Sequence, residues 1–129
     1  MSGLTAIVCD DDPESRKSTC TLASTCGFEI VAELDLAVSA VTVAELVGPT
    51  VVLLDLSLPG LSSLQAIPLL LAAAPGCEIV VCSAYETVRP AVLRAGASDV
   101  VTKGDDRALE QVLLKIAERR SAASEAVTP

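Results

Sequence analysis

The chain has 129 residues, 51% of them hydrophobic, with a net charge of −8 and no histidine. That length fits one domain, and one Tyr, one Phe and no Trp leave an aliphatic core. The acidic balance argues against the clustered Lys and Arg of a nucleic-acid surface, and the missing imidazole excludes an internal His base or His metal ligand. In chain order, residues 4–9 (Leu-Thr-Ala-Ile-Val-Cys) read as a first strand that runs into Asp10-Asp11-Asp12-Pro13. Asp12 suits an N-cap and Pro13 a first helical turn, so a helix is expected over residues 13–26 and is stopped by Gly27. Leu22 and Cys26 should face the sheet, with Arg16 and Lys17 on the solvated side.

Residues 28–34 read as a second strand with imperfect alternation, as at an edge. An unusually apolar helix over 38–47 follows, with Ser39 or Asp35 near its start, and Gly48-Pro49 ends it. Val51-Val-Leu-Leu-Asp55 is an unbroken apolar run, which reads as a strand buried on both faces, and Pro59-Gly60 then turns the chain. Residues 61–74 read as a helix with Pro68 inside it, so it either begins late, near Gln65, or kinks. Residues 78–82 form a fourth strand with Ser83 at its end. Tyr85-Glu86-Thr87 is a loop, expected to expose Tyr85, and a short helix over 88–95 is capped by Gly96. Residues 98–102 form a fifth strand ending at Lys103. The final helix spans 105–120, with Asp105 and Asp106 at its start, Arg119 and Arg120 at its end, and a Leu109, Val112, Leu113, Ile116 stripe.

Strands alternating with helices indicate a (βα)5 parallel sheet, commonly in the order 2-1-3-4-5. In that order the carboxyl ends of the strands bring Asp10, Asp11 and Asp12 together with Asp55, Ser83 and Lys103. Crowded carboxylates repel, so a cation must hold them. Oxygen ligands without His or thiolate suit Mg²⁺. Metal, hydroxyl and ammonium around one acid make a phosphoryl-transfer site, with Asp55 as nucleophile forming an acyl phosphate.

These strand-end motifs resemble the receiver domains of two-component response regulators. They are Val8-Cys-Asp-Asp-Asp-Pro13, Leu53-Leu-Asp-Leu-Ser-Leu-Pro-Gly60, Val81-Cys-Ser-Ala-Tyr85, Arg94-Ala-Gly-Ala97 and Val101-Thr-Lys-Gly104. The resemblance implies a flavodoxin-like doubly wound fold and an α/β switch that is not an enzyme in the ordinary sense. It implies that Asp55 accepts phosphate from a histidine kinase. It further implies that Asp10, Asp11 (the more directly), Asp55 and the Ser57 backbone carbonyl hold Mg²⁺. By the same resemblance Ser83 is the switch hydroxyl and Lys103 pairs with the phosphoryl group. The output surface is expected on the fourth helix, fifth strand and fifth helix, where family members dimerise or dock partners. The run up to Lys103 looks most like receivers joined to helix-turn-helix DNA-binding domains and so to transcription regulation. Two positions depart from the pattern: Val100 stands where an aromatic is usual, and Gly104 where proline is common.

Residues 1–121 are expected to form the receiver and 122–129 a disordered tail or the start of a linker. The absence of a signal segment or a membrane-length apolar run points to the cytoplasm. The five cysteines form no Cys-x-x-Cys pair and read as small buried hydrophobes in a reducing compartment. Three other functions compete with that of a receiver. A Mg²⁺-dependent phosphatase with an Asp nucleophile would carry that Asp on the first strand and need a cap domain. A flavin module would need a Ser/Thr/Gly-rich loop where Asp10–Asp12 stand. A non-phosphorylated receiver-like interaction module would not need the intact acidic set.

Overall fold

The computed structural model describes residues 3–58 and 60–127, with side chains described as far as residue 123. Five strands, β1 (Thr5–Cys9), β2 (Glu29–Leu34), β3 (Val51–Asp55), β4 (Glu78–Ser83) and β5 (Asp99–Thr102), alternate with helices. The helices are α1 (Pro13–Thr25), α2 (Ala37–Val47), α3 (Ser63–Ala73), α4 (Arg89–Ala95) and α5 (Asp106–Val127), with a 3₁₀ turn over Glu86–Val88 ahead of α4. All strand pairs are parallel, in the order β2-β1-β3-β4-β5. This is the expected doubly wound flavodoxin-like sheet. Every residue of β3 is buried, because both its neighbours and both helical layers cover it. Adjacent residues of a strand point to opposite faces, so the aliphatic core divides in two. Ile7, Val52, Leu54, Ile79 and Val81 pack on one face with α2, α3 and α4. Ala6, Val8, Val51, Leu53 and Val80 pack on the other with α1 and α5.

Local chemistry fixes the helix starts. The Asp12 carboxylate accepts from the Glu14 amide at 3.1 Å and caps α1, with Pro13 as its first residue. Asp105 Oδ1 accepts from the Ala108 amide at 3.1 Å and caps α5. Several expectations are corrected. Asp35 and Ser39 both lie near the start of α2, as expected, but Leu36 holds the N-cap position without a side-chain bond. The third helix does not begin late, because Ser62 caps it from Gln65 at 3.1 Å and carries it through Pro68. Arg16 is not a solvated residue: its Nη1 donates to the Asp10 carbonyl at 2.7 Å. Ala23, fully buried, leads the sheet-facing side of α1, with Cys26 buried and Leu22 partly so. The last helix passes Arg120 to Val127, since Ala122, Ala123 and Ala126 favour helix. This is longer than expected, and only residues 128–129 of the anticipated tail lie outside the described residues. The expected turn at Pro59 also lies partly outside them, whereas Gly60 has φ +78°.

Gly96 ends α4 at φ +119°, and a Cβ there would lie 2.5 Å from Leu71 Cδ1 and 3.6 Å from Ile67 Cγ2. Gly48 ends α2 at φ +56° with open space around it. Gly48→Ala should therefore cost only the left-handed backbone penalty of about 1 kcal/mol. Gly96→Ala should cost at least about 1 kcal/mol more, because Leu71 must also shift. Urea melts of the two variants check this, and equal midpoints would contradict it.

Candidate functional site

The site lies where β1, β3, β4 and β5 end. Register brings these ends together: Cys9 pairs with Leu54, Asp55 with Cys82, and Ser83 with Thr102. Asp10 and Lys103 are each one residue beyond their strand. The Asp10 amide donates to the Leu34 carbonyl at 2.9 Å, and the Lys103 amide to the Ser83 carbonyl at 2.8 Å. The backbones of both residues are therefore fixed by the sheet.

Asp55 is 3% exposed and Asp10 is 6% exposed. Buried carboxylates require partners, and both have them. Lys103 Nζ lies 2.9 Å from Asp55 Oδ2 and 3.6 Å from Asp10 Oδ1. The Ser57 amide donates to Asp55 Oδ1 at 3.1 Å. Asp10 Oδ1 accepts from the Asp12 amide at 2.9 Å, and Asp10 Oδ2 from the Ser15 hydroxyl at 2.6 Å. Partial burial alone would pull the Lys103 pKa down. The hydrogen bond to Asp55 and the charges of Asp55 and Asp10 outweigh it, and the net shift is upward. Lys103 is thus held as a cation.

Asp11, exposed, completes an acidic trio: one carboxylate oxygen from each of Asp10, Asp11 and Asp55 lies within 4.8 Å of the others. One ammonium faces all this negative charge. Hard, crowded oxygen donors with no imidazole fit a divalent cation such as Mg²⁺. Asp12 belongs to the α1 cap and not to this trio. A cleft of about 390 Å³ between α1 and the β5–α5 loop adjoins the site on its Asp10 and Lys103 side, lined also by Ser15, Ser18, Gly104 and Asp106 but not by Asp11 or Asp55.

Ser83 is buried at the same rim, but its hydroxyl is engaged elsewhere. It donates to the Tyr85 carbonyl and accepts from the Tyr85 amide, both at 3.1 Å. Tyr85 itself is 71% exposed, as expected. Three residues that hold the site were not expected there: Ser15 and Ser63 had no part in the sequence reading, and Arg16 was placed in solvent. Ser15 and Arg16 clamp Asp10 by its side chain and carbonyl, and the buried Ser63 hydroxyl donates to the Asp55 carbonyl. Ser15 carries a weak signal, one turn into a helix that starts beside the acids. Ser63 carries none, because its role depends on α3 folding back under β3.

Comparisons with known proteins point to one family. The family model described as the response regulator receiver domain matches residues 6–114. The chain belongs to the receiver-domain family. Chemotaxis protein CheY of Listeria monocytogenes is 30% identical over 111 residues, covering 83% of this chain and 93% of that protein. Response regulator GacA of Pseudomonas aeruginosa is 31% identical over 100 residues, covering 76% of this chain but 47% of GacA. The signal receiver domain of the response regulator NarL from Mycobacterium tuberculosis superposes with a TM-score of 0.81 at 23% identity, covering 89% of this chain and 96% of that one. Receiver domains are signalling modules of two-component systems, and the function of this one is phosphorylation-dependent signalling.

The thiols of this receiver domain are unsuited to nucleophilic work. All five are free, and burial, with Asp10 next, pushes Cys9 up to about 12. Burial, then Asp55 and Asp10, pushes Cys82 up to about 12 as well. At pH 7.5 the native protein should react with iodoacetamide at least ~100-fold more slowly than free cysteine. In denaturant all five thiols should react. Mass spectrometry of timed samples checks this, and fast alkylation at Cys9 or Cys82 would overturn it.

Proposed function

We propose that Asp55 accepts a phosphoryl group from the phosphohistidine of a histidine kinase. The observation that carries this reading is the Lys103 ammonium 2.9 Å from Asp55 Oδ2, beside the Asp10, Asp11 and Asp55 trio. A carboxylate oxygen of Asp55 bonds to phosphorus as the phosphorus–nitrogen bond of the donor breaks, leaving an acyl phosphate on Asp55 and a free kinase imidazole. Receiver domains hold Mg²⁺ in an acidic pocket. Here Asp10, Asp11, Asp55 and the Ser57 backbone carbonyl would hold it, and bound there it neutralises charge on phosphoryl oxygens. Lys103 takes one of those oxygens and the Ser83 hydroxyl another. The same groups assist loss of the phosphate to water, so the domain shortens the life of its own signal. The phosphorylated state is read on the α4–β5–α5 surface by an output domain, a partner protein or a second copy. The run up to Lys103, which looks like that of receivers joined to helix-turn-helix domains, favours a DNA-binding output and transcription regulation, with the cytoplasm as the compartment.

Acetyl phosphate with Mg²⁺ should label the protein with one phosphoryl group, giving +80 Da in intact mass. Asp55→Asn should abolish the label, and EDTA should reduce it by at least ~100-fold. A labelled Asp55→Asn would overturn the assignment. Mg²⁺ at ten times its Kd should also stabilise the wild type by ~1.4 kcal/mol. Asp11→Ala should lose that gain when measured against NaCl of equal ionic strength; if it keeps the full gain, Asp11 is not a ligand.

A further inference from the structure

We infer that Arg89 is a positioning residue that ties α4 to the edge of the sheet and thereby relays the state of Ser83. The inference rests on the phosphorylation reading above and supplies what Val100 cannot. Val100 is buried with Val92, Ala97 and Val88 beneath α4, so no aromatic ring is available there to swing inward. A polar strap runs over the same place.

The strap begins at Ser83. Its hydroxyl holds both backbone groups of Tyr85, and Tyr85 is the N-cap of the 3₁₀ turn Glu86–Val88. From that turn Glu86 Oε1 accepts from the Thr102 hydroxyl at 3.0 Å. Arg89, the first residue of α4, then reaches across to β5. Its Nη1 donates to the Val100 carbonyl at 2.9 Å and its Nη2 to Asp99 Oδ1 at 2.9 Å. Asp99 Oδ1 also accepts from the Val100 amide at 2.8 Å. β5 is an edge strand, so the outward amide and carbonyl of Val100 have no neighbouring strand. Arg89 and Asp99 satisfy both, as a missing sixth strand would.

The ion pair alone would count for little, since the Arg89 and Asp99 side chains are 43% and 32% exposed. The guanidinium fork gives it direction, because one group grips a side chain and a backbone carbonyl together. Thr102 closes the circuit: it pairs with Ser83 in the sheet and precedes Lys103, whose ammonium touches Asp55. When the Ser83 hydroxyl turns to a phosphoryl oxygen it gives up both Tyr85 bonds. The 3₁₀ turn loses its anchor, and the Glu86–Thr102 and Arg89–β5 contacts are the next to change. The strap favours the unphosphorylated arrangement, and weakening it moves the population toward the other.

The test uses amide NMR spectra of the full chain, with and without acetyl phosphate and Mg²⁺, on wild type, Arg89→Met, Arg89→Lys and Glu86→Ala. Unphosphorylated Arg89→Met should shift amides between residues 84 and 102 along the line joining the two wild-type states. Arg89→Lys should return them part of the way, and Glu86→Ala should shift them in the same direction. Arg89→Met should also take up phosphate roughly three- to tenfold faster, from the loss of bonds of ordinary strength. Shifts off that line, or an unchanged rate, would mean that Arg89 only stabilises the edge and would overturn the relay. If the wild type labels normally and Arg89→Met matches it in both readouts, the relay alone falls. If the wild type takes no label, the relay falls together with the phosphorylation reading.

Discussion

One ammonium among crowded acids governs this structure. Asp55 and Asp10 are carried into the rim of the sheet by strands whose apolar residues must be buried, and their charges come with them. Lys103, reaching 2.9 Å to one and 3.6 Å to the other, makes that tolerable. Compensation is incomplete, because Asp11 brings a third carboxylate and, among the described residues, only Lys103 forms an ion pair with the trio's carboxylates, Arg16 reaching the Asp10 carbonyl instead. A site that still lacks positive charge attracts divalent metal and rewards any group whose charge the metal and the lysine can share. Burial first, and then the same excess of negative charge, opposes a thiolate at Cys9 and Cys82.

The order of elements and the sheet order were legible because β3 is a run of apolar residues ending in one acid, and because turns punctuate the chain at Gly27, Gly48, Gly76 and Gly96. Both signals are local. Asp10, Asp55 and Lys103 were legible for a related reason: a charged residue directly after an apolar strand has only the rim to occupy. What failed needed knowledge of the far side of the fold. Arg16 looked solvated by its place on α1, yet its long side chain folds back to the Asp10 carbonyl. The start of α3 looked doubtful because of Pro68, yet the Ser62 cap and the fully buried Ala66, Ile67 and Leu70 outweigh one lost hydrogen bond. Leu36 caps α2 with no polar help, because fully buried Ala37, Ala40 and Ala44 hold the helix by packing alone.

The two departures from the family pattern have a shared structural consequence. Gly104 adopts φ +91°, a value closed to proline. The turn it makes is closed by the Asp105 amide on the Thr102 carbonyl at 3.0 Å and the Asp106 amide on the Gly104 carbonyl at 3.1 Å. Lys103 is therefore fixed from both sides: through its amide by Ser83, and through the following residues by a glycine turn that leads into the Asp105 cap of α5. At Val100 a short branched side chain is locked into the core, and the surface above it is governed by the hydrogen bonds that Arg89 donates and Glu86 accepts. In both places rigid covalent geometry or a bulky ring gives way to backbone hydrogen bonding.

That substitution changes what kind of signal the domain can send. A ring that moves between buried and exposed positions exchanges a large apolar area, so its two states differ through packing. A guanidinium held by a carbonyl and a carboxylate exchanges hydrogen bonds with water, and each such exchange has a small net free energy. On the proposed relay the two arrangements of α4 lie close in energy, and a modest bias at Ser83 is enough to redistribute them. In the same reading Lys103, fixed by the sheet and the Gly104 turn, supplies a stationary point against which Ser83 moves. The proposed chemistry at Asp55 can then remain that of the family while its report runs through Arg89 and Glu86 in place of a ring.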